Sequence, residues 1–110
     1  MAGYRLTVRH GPRVDRERFE NLDEAIAVLR RRVEEIRGDG PLGAVSAFRD
    51  YEPGQRVAAR LELSAGGWLR GREAGLDVMG DGSLVPYAGT VRKRRLEEDA
   101  PFEAVRKELT

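Results

Sequence analysis

The stretch Asn21-Leu22-Asp23-Glu24-Ala25-Ile26-Ala27-Val28-Leu29-Arg30-Arg31-Arg32-Val33-Glu34-Glu35-Ile36-Arg37-Gly38 decides the fold. Leu22, Ala25, Ile26, Leu29, Val33 and Ile36 recur at steps of three and four, so a helix over 22–37 gathers them on one stripe. Asn21, with Glu24 three residues on, is a capping-box arrangement in which the Asn side chain accepts an orphan backbone N–H. Gly38 follows as a C′ residue able to take positive φ without a Cβ penalty. The helix makes about four turns, long enough to cover a sheet face. On its wet side Arg30–Glu34 and Arg31–Glu35 are spaced as i,i+4 pairs.

Upstream, Tyr4, Leu6 and Val8 alternate with Arg5, Thr7 and Arg9, the pattern of a strand with one wet face. Gly11-Pro12 breaks it, and Val14 to Glu20 is too charged to assign to an element. Downstream, a Gly-Asp-Gly-Pro-Leu-Gly connector leads into a strand over 44–51 with impure alternation. Glu52-Pro53-Gly54-Gln55 then places Pro and Gly where a type II turn wants them. The next strand is clean: Val57, Ala59, Leu61 and Leu63 face in, while Arg56, Arg60, Glu62 and Ser64 face out. These two strands make a hairpin.

From Ala65 to Gly75 four glycines break the pattern around Trp68-Leu69-Arg70 and Arg72-Glu73. Leu76 and Val78 restore it, and the Gly80-Asp81-Gly82-Ser83 turn leads to Val85, Tyr87 and Val91. Pro86 cannot donate to a ladder, which puts this last strand at an edge. Asp99 as cap, Pro101 in the first turn, and Phe102, Val105 and Leu109 on one face predict a short closing helix.

The expected architecture is therefore one α+β domain over residues 1–110, in the order β-α-β-β-β-β-α. A long helix packs across a curved antiparallel sheet, and a short helix closes the chain. This order resembles the cystatin/monellin-like group of folds, in topology and not in any sequence motif. A fold shared in this way implies nothing about function.

Composition narrows the function classes. The 110 residues carry 20 basic and 19 acidic side chains, and the net charge of +1 supplies no global field for nucleic acid or anionic lipid. The basic residues are nearly all arginine, with lysine only at 93 and 107. There is no cysteine, which removes disulfides, thiolate nucleophiles and Cys-based metal sites and fits a reducing compartment. No apolar run suits a signal peptide or a membrane span, so a cytoplasmic protein is expected.

Sites are sparse. Gly38 to Gly43 has the spacing G-x-G-x-x-G, but it leaves a helix and enters a strand, the reverse of a dinucleotide site, so no cofactor is expected. His10 is the only histidine, and Asp77 and Asp81 lack the twelfth-position carboxylate of a calcium loop, so no metal is expected. Glu73, Asp77 and Asp81 are the acids available for carboxylate chemistry if the protein is an enzyme, yet the missing catalytic constellation weighs against catalysis. Arg92-Lys93-Arg94-Arg95, joined by Arg70 and Arg72, is the candidate nucleic-acid surface, with Trp68 or Tyr87 to stack on bases. The leading expectation is a non-catalytic binding or assembly module. It would work on a protein partner or a second copy through Trp68 and Leu69, with no membrane involved.

Overall fold

The computed structural model describes residues 3–38, 57–66, 72–89, 94–96 and 99–110. It is an α+β fold with a six-stranded antiparallel sheet and two helices. In chain order the elements are β1 (Tyr4–His10), β2 (Arg13–Phe19), α1 (Leu22–Gly38), β3 (Val57–Ala65), β4 (Glu73–Met79), β5 (Leu84–Ala88), β6 (Arg94–Arg95) and α2 (Pro101–Glu108). Across the sheet they run β2-β1-β3-β4-β5-β6.

The helix stripe does what its spacing demands. Leu22, Ala25, Ile26, Leu29, Val33 and Ile36 are all buried, packed with Leu6, Val8, Leu61, Leu63, Leu76 and Val78 in one apolar cluster. An isolated helix of this length is marginal in water, whereas each fully buried Leu contributes roughly 1.5–3 kcal/mol, so packing holds it. The N-terminus is capped as expected: Glu24 N–H donates to Asn21 Oδ1 at 2.8 Å. The helix takes in Gly38, which keeps a negative φ, instead of stopping before it. Arg31 pairs with Glu35 at 3.8 Å, but Arg30 stacks 4.3 Å from the Phe102 ring centroid and Glu34 is taken by Arg37. The first of those departures follows from α2, which lies beside α1 and ties Arg106 to Asp23 at 2.5 Å.

The strand β2 explains why its sequence resisted assignment. Its helix-facing positions hold Asp15 and Glu17, opposite Val8 and Leu6 of β1, where an apolar stripe would ordinarily sit. Arg32 of α1 reaches over them, with Nη2 at 2.9 Å from Asp15 and Nη1 at 3.3 Å from Glu17. The strand therefore docks under the helix by ion pairs, with Phe19 the one buried side chain along it. Hydrophobic alternation cannot reveal such a strand. Gly11, at φ +62°, makes the tight turn that folds it back on β1.

At the other side of the sheet β5 is not the edge. It pairs with β4 and, over Tyr87 and Ala88, with the two-residue β6. Pro86 falls just beyond that short ladder, where no donor is needed, and its carbonyl accepts from Leu96 N–H at 2.9 Å. Leu84, Pro86 and Ala88 share the helix side with Leu76, so Val85 and Tyr87 point the opposite way. The closing helix starts at Pro101 as expected, but its N-cap is Ala100, and Asp99 supplies no cap bond. The expected strand at 44–51 and its turn lie outside the described residues.

Removing the Arg32 clamp should loosen β2. Arg32→Met is expected to cost about 1–2 kcal/mol, between the values typical of exposed and buried ion pairs. Urea denaturation would read the loss, and amide exchange should speed up over residues 13–19 first. An unchanged midpoint would mean that the ion pairs do not hold the strand.

Candidate binding surface on the open face of the sheet

Because both helices share one face, the strand pleat sends every second side chain to a face that neither helix covers. The registers define its cross-strand rows. Arg18, Arg5, Ser64 and Glu73 form one; Arg16, Thr7, Glu62, Gly75, Tyr87 and Arg95 form the next. Val14, Arg9, Arg60, Asp77 and Val85 form the third. The face is thus mostly polar, with Val14 and Val85 at the two ends of the third row, and its charges are unevenly spread.

The centre is self-satisfied. Arg60 grips Asp77 with two parallel bonds, Nε to Oδ1 at 2.6 Å and Nη2 to Oδ2 at 2.9 Å. This planar fork is the geometry in which Arg differs most from Lys. The hydrogen bonds to Asp77 hold the Arg60 pKa above its ordinary value. Beside the pair, Tyr87 lies across Gly75, and the Arg60 guanidinium carbon sits 5.2 Å from its ring centroid. Only 4 % of Tyr87 is exposed. Burial, then the charge of Glu62, pushes its phenol pKa well above the usual value. Gly75 is required by this packing: a Cβ there would run into the Leu61 carbonyl oxygen and come within 2.7 Å of the Tyr87 hydroxyl.

The β1–β2 end is not satisfied. Arg9 leans toward Glu62 at 3.6 Å, but exposed Arg5, Arg16 and Arg18 make no ion pair among the described residues. Arg5 and Arg18 stand directly opposite each other. Like charges in that relation cost stability and gain nothing inside the fold.

The sequence-derived candidates are scattered by comparison. Trp68, Leu69, Arg70, Arg92 and Lys93 lie outside the described residues. Arg72 and Arg94 do come together, lining a cavity of about 480 Å3 with Lys107, Glu73 and Glu108. There Arg94 is bound to Glu108 at 2.7 Å, and Arg72 donates to the Thr110 carbonyl at 3.3 Å. Arg95 is exposed opposite Tyr87. Of the three acids, Asp77 is gripped by Arg60, and Glu73 stands two positions away on the same face. Asp81 belongs to the β4–β5 turn, where the Ser83 hydroxyl at 2.6 Å and backbone N–H at 2.9 Å hold its pKa below the ordinary value. The three do not converge on a cleft. Among the described residues no group of three or more His, Cys, Asp or Glu is placed to hold a metal ion, and no helix is long and apolar enough to cross a membrane.

Sequence reasoning passed over Arg16 and Arg18 because their strand was unassigned. The signal that would have found them is the strict alternation of sign over Asp15-Arg16-Glu17-Arg18.

Two measurements check this geometry. Gly75→Ala should destabilise the domain by about 2–3 kcal/mol through overpacking, read as a lower denaturation midpoint. A neutral result would mean that Tyr87 does not lie across Gly75. The phenol gives a pH signature with a definite sign. Above the ordinary tyrosine pKa of 10.0 the unfolded chain releases the proton while folded Tyr87 keeps it. Stability contributed by the neutral phenol is complete below that value and falls above it, by up to about 1.4 kcal/mol per pH unit. Tyr87→Phe should lose that slope.

No protein-family model matches the chain, and no curated protein and no solved structure matches it, so the likeness to the cystatin/monellin-like group rests on element order alone.

Proposed function

We propose that this domain is a non-catalytic binding module that docks an acidic protein surface on the β1–β2 half of its open sheet face. The observation that carries this is the exposed group Arg5, Arg16 and Arg18, with no acidic partner among the described residues. A partner that brings carboxylates there removes the repulsion between Arg5 and Arg18 and gains charge-assisted hydrogen bonds. Trp68 and Leu69, which stand in the chain between β3 and β4, remain the candidate apolar anchor. The engagement of Asp77 by Arg60 and of Asp81 by Ser83 supports binding over catalysis. A cysteine-free chain suits a reducing compartment, and the cytoplasm is the proposed setting.

Nucleic acid is less favoured. Tyr87 is buried beneath Arg60 and offers no stacking platform, and Glu62 and Asp77 next to the arginines would repel a phosphate backbone. Arg94 and Arg72 already have partners.

Fluorescence anisotropy with labelled poly-glutamate and with single- and double-stranded oligonucleotides, at low ionic strength, separates the two readings. The wild-type domain should bind the acidic polypeptide, and Arg5→Glu/Arg16→Glu/Arg18→Glu should weaken it about ten-fold or more. Equal binding by the triple variant would sink the proposal. Preferential oligonucleotide binding that is lost in Arg72→Glu/Arg94→Glu would transfer it to nucleic acid.

A further inference from the structure

β2 is terminal in the sheet and, among the described residues, pairs with β1 alone. One row of its backbone N–H and C=O groups therefore points away from the sheet along Arg13–Phe19. Such a row is a template for another strand. Native edges are blunted by charged side chains, proline or a bulge; this edge has charge at five of its seven positions but neither proline nor bulge. All seven of its residues pair with β1 without a break in register, and from Asp15 to Arg18 its charges alternate by face, with Arg13 also on the helix face. Arg16 and Arg18 lie on the open face; Asp15 and Glu17 lie on the helix face.

We propose that the occupant is an extended segment of a different protein, added beside β2 as a further strand, with acids at alternate positions against Arg16 and Arg18 and basic residues at the intervening positions. The inference rests on the arginine-face reading above and adds the backbone pairing and the charge pattern of the partner. The helix side of the edge has room for the intervening side chains, since a cavity of about 640 Å3 opens there, lined by His10, Arg13, Asp15, Glu17, Arg32 and Glu35 among others. That lining sets three acids, Asp15, Glu17 and Glu35, against three arginines, Arg13, Arg16 and Arg32, and a histidine; Asp15 and Glu17, which share the Arg32 guanidinium, keep side-chain exposures of 40 % and 39 %. A partner cation there would meet two half-exposed carboxylates that share one guanidinium, whereas a partner acid on the open face would meet Arg16 and Arg18, which have no ion pair among the described residues.

The same alternation disfavours a second copy of this chain. Two copies joined edge to edge about a two-fold axis normal to the sheet pair antiparallel, and opposed residues share a face. The register that overlaps all of β2 sets Arg16 against its own copy and Asp15 against Glu17. A shift one way sets Arg16 against Arg18 and Glu17 against itself. A shift the other way gains Arg13 against Glu17, but it opposes Asp15 to itself and leaves Arg18 outside the overlap. A strand of opposite alternation meets none of these conflicts.

Two peptides of identical composition test this, one with strictly alternating Glu and Lys, the other with Glu-Glu-Lys-Lys blocks that mix both charges on each face. Titrated into the isotope-labelled domain at low ionic strength, the alternating peptide should bind about ten-fold tighter. It should also slow exchange of the β2 amides that point away from β1. Arg16→Glu/Arg18→Glu, both exposed and outside the core, should abolish the preference. Equal affinity for the two peptides with no added amide protection would overturn strand addition while leaving the arginine-face reading intact. Failure of both peptides, together with failure of poly-glutamate, would remove that reading as well. A concentration-dependent dimer that protects the same amides without peptide would overturn the choice of a different protein as partner.

Discussion

Burial of the α1 stripe against β1 and β3 is the contact on which everything else depends. Leu29, Val33, Leu61 and Leu63 are fully excluded from water, and Leu6 and Val8 nearly so. Because the helix commits one face of those strands to the core, the pleat commits the other face to solvent. α2 then adds Val105 and Leu109 to the same side, so among the described residues the opposite face has no helix to cover it. A sheet with one dry and one wet face places polar side chains at most alternate positions of its strands, and this chain does so apart from Val14, Gly75 and Val85.

How those polar positions are filled divides the open face in two. Around β3 and β4 they neutralise one another, through the Arg60–Asp77 fork and the tyrosine packed beside it over a glycine. Around β1 and β2 they do not, and arginines stand next to arginines. A paired, buried cluster stiffens the sheet, whereas unpaired exposed cations are available to something else. This contrast within one surface locates the candidate site more firmly than charge content does, because the whole chain is nearly neutral.

The edge strand links these two themes. β2 stays in the sheet because α1 supplies Arg32 to the acids on its inner face, a substitution of ion pairs for apolar packing. The cost is an edge without a hydrophobic side, and the return is an alternating charge pattern that disfavours pairing with itself. Strand, clamp and arginine face form one connected feature.

What the sequence determined alone was what local periodicity governs: the capped helix, β1, β3 from Ala59 onward (Val57, expected to face in, is exposed beyond a register shift), the Asp-Gly turn into β5, and the α+β class that follows from a long amphipathic helix beside half-buried strands. Helical and strand spacing are written into neighbouring residues, so they survive without any knowledge of contacts. Three things needed the tertiary structure. β2 is stabilised from a helix fifteen or more residues away, and no window within it carries an apolar signal. Gly75 looked like an interruption until Tyr87 from the next strand was laid across it. The cations on which the proposed binding rests are Arg5, Arg16 and Arg18, two of which belong to the unassigned strand, while Arg92 and Lys93 of the dense run lie outside the described residues. Their significance is a matter of which charges lack neighbours, and cross-strand register, not sequence adjacency, decides who the neighbours are.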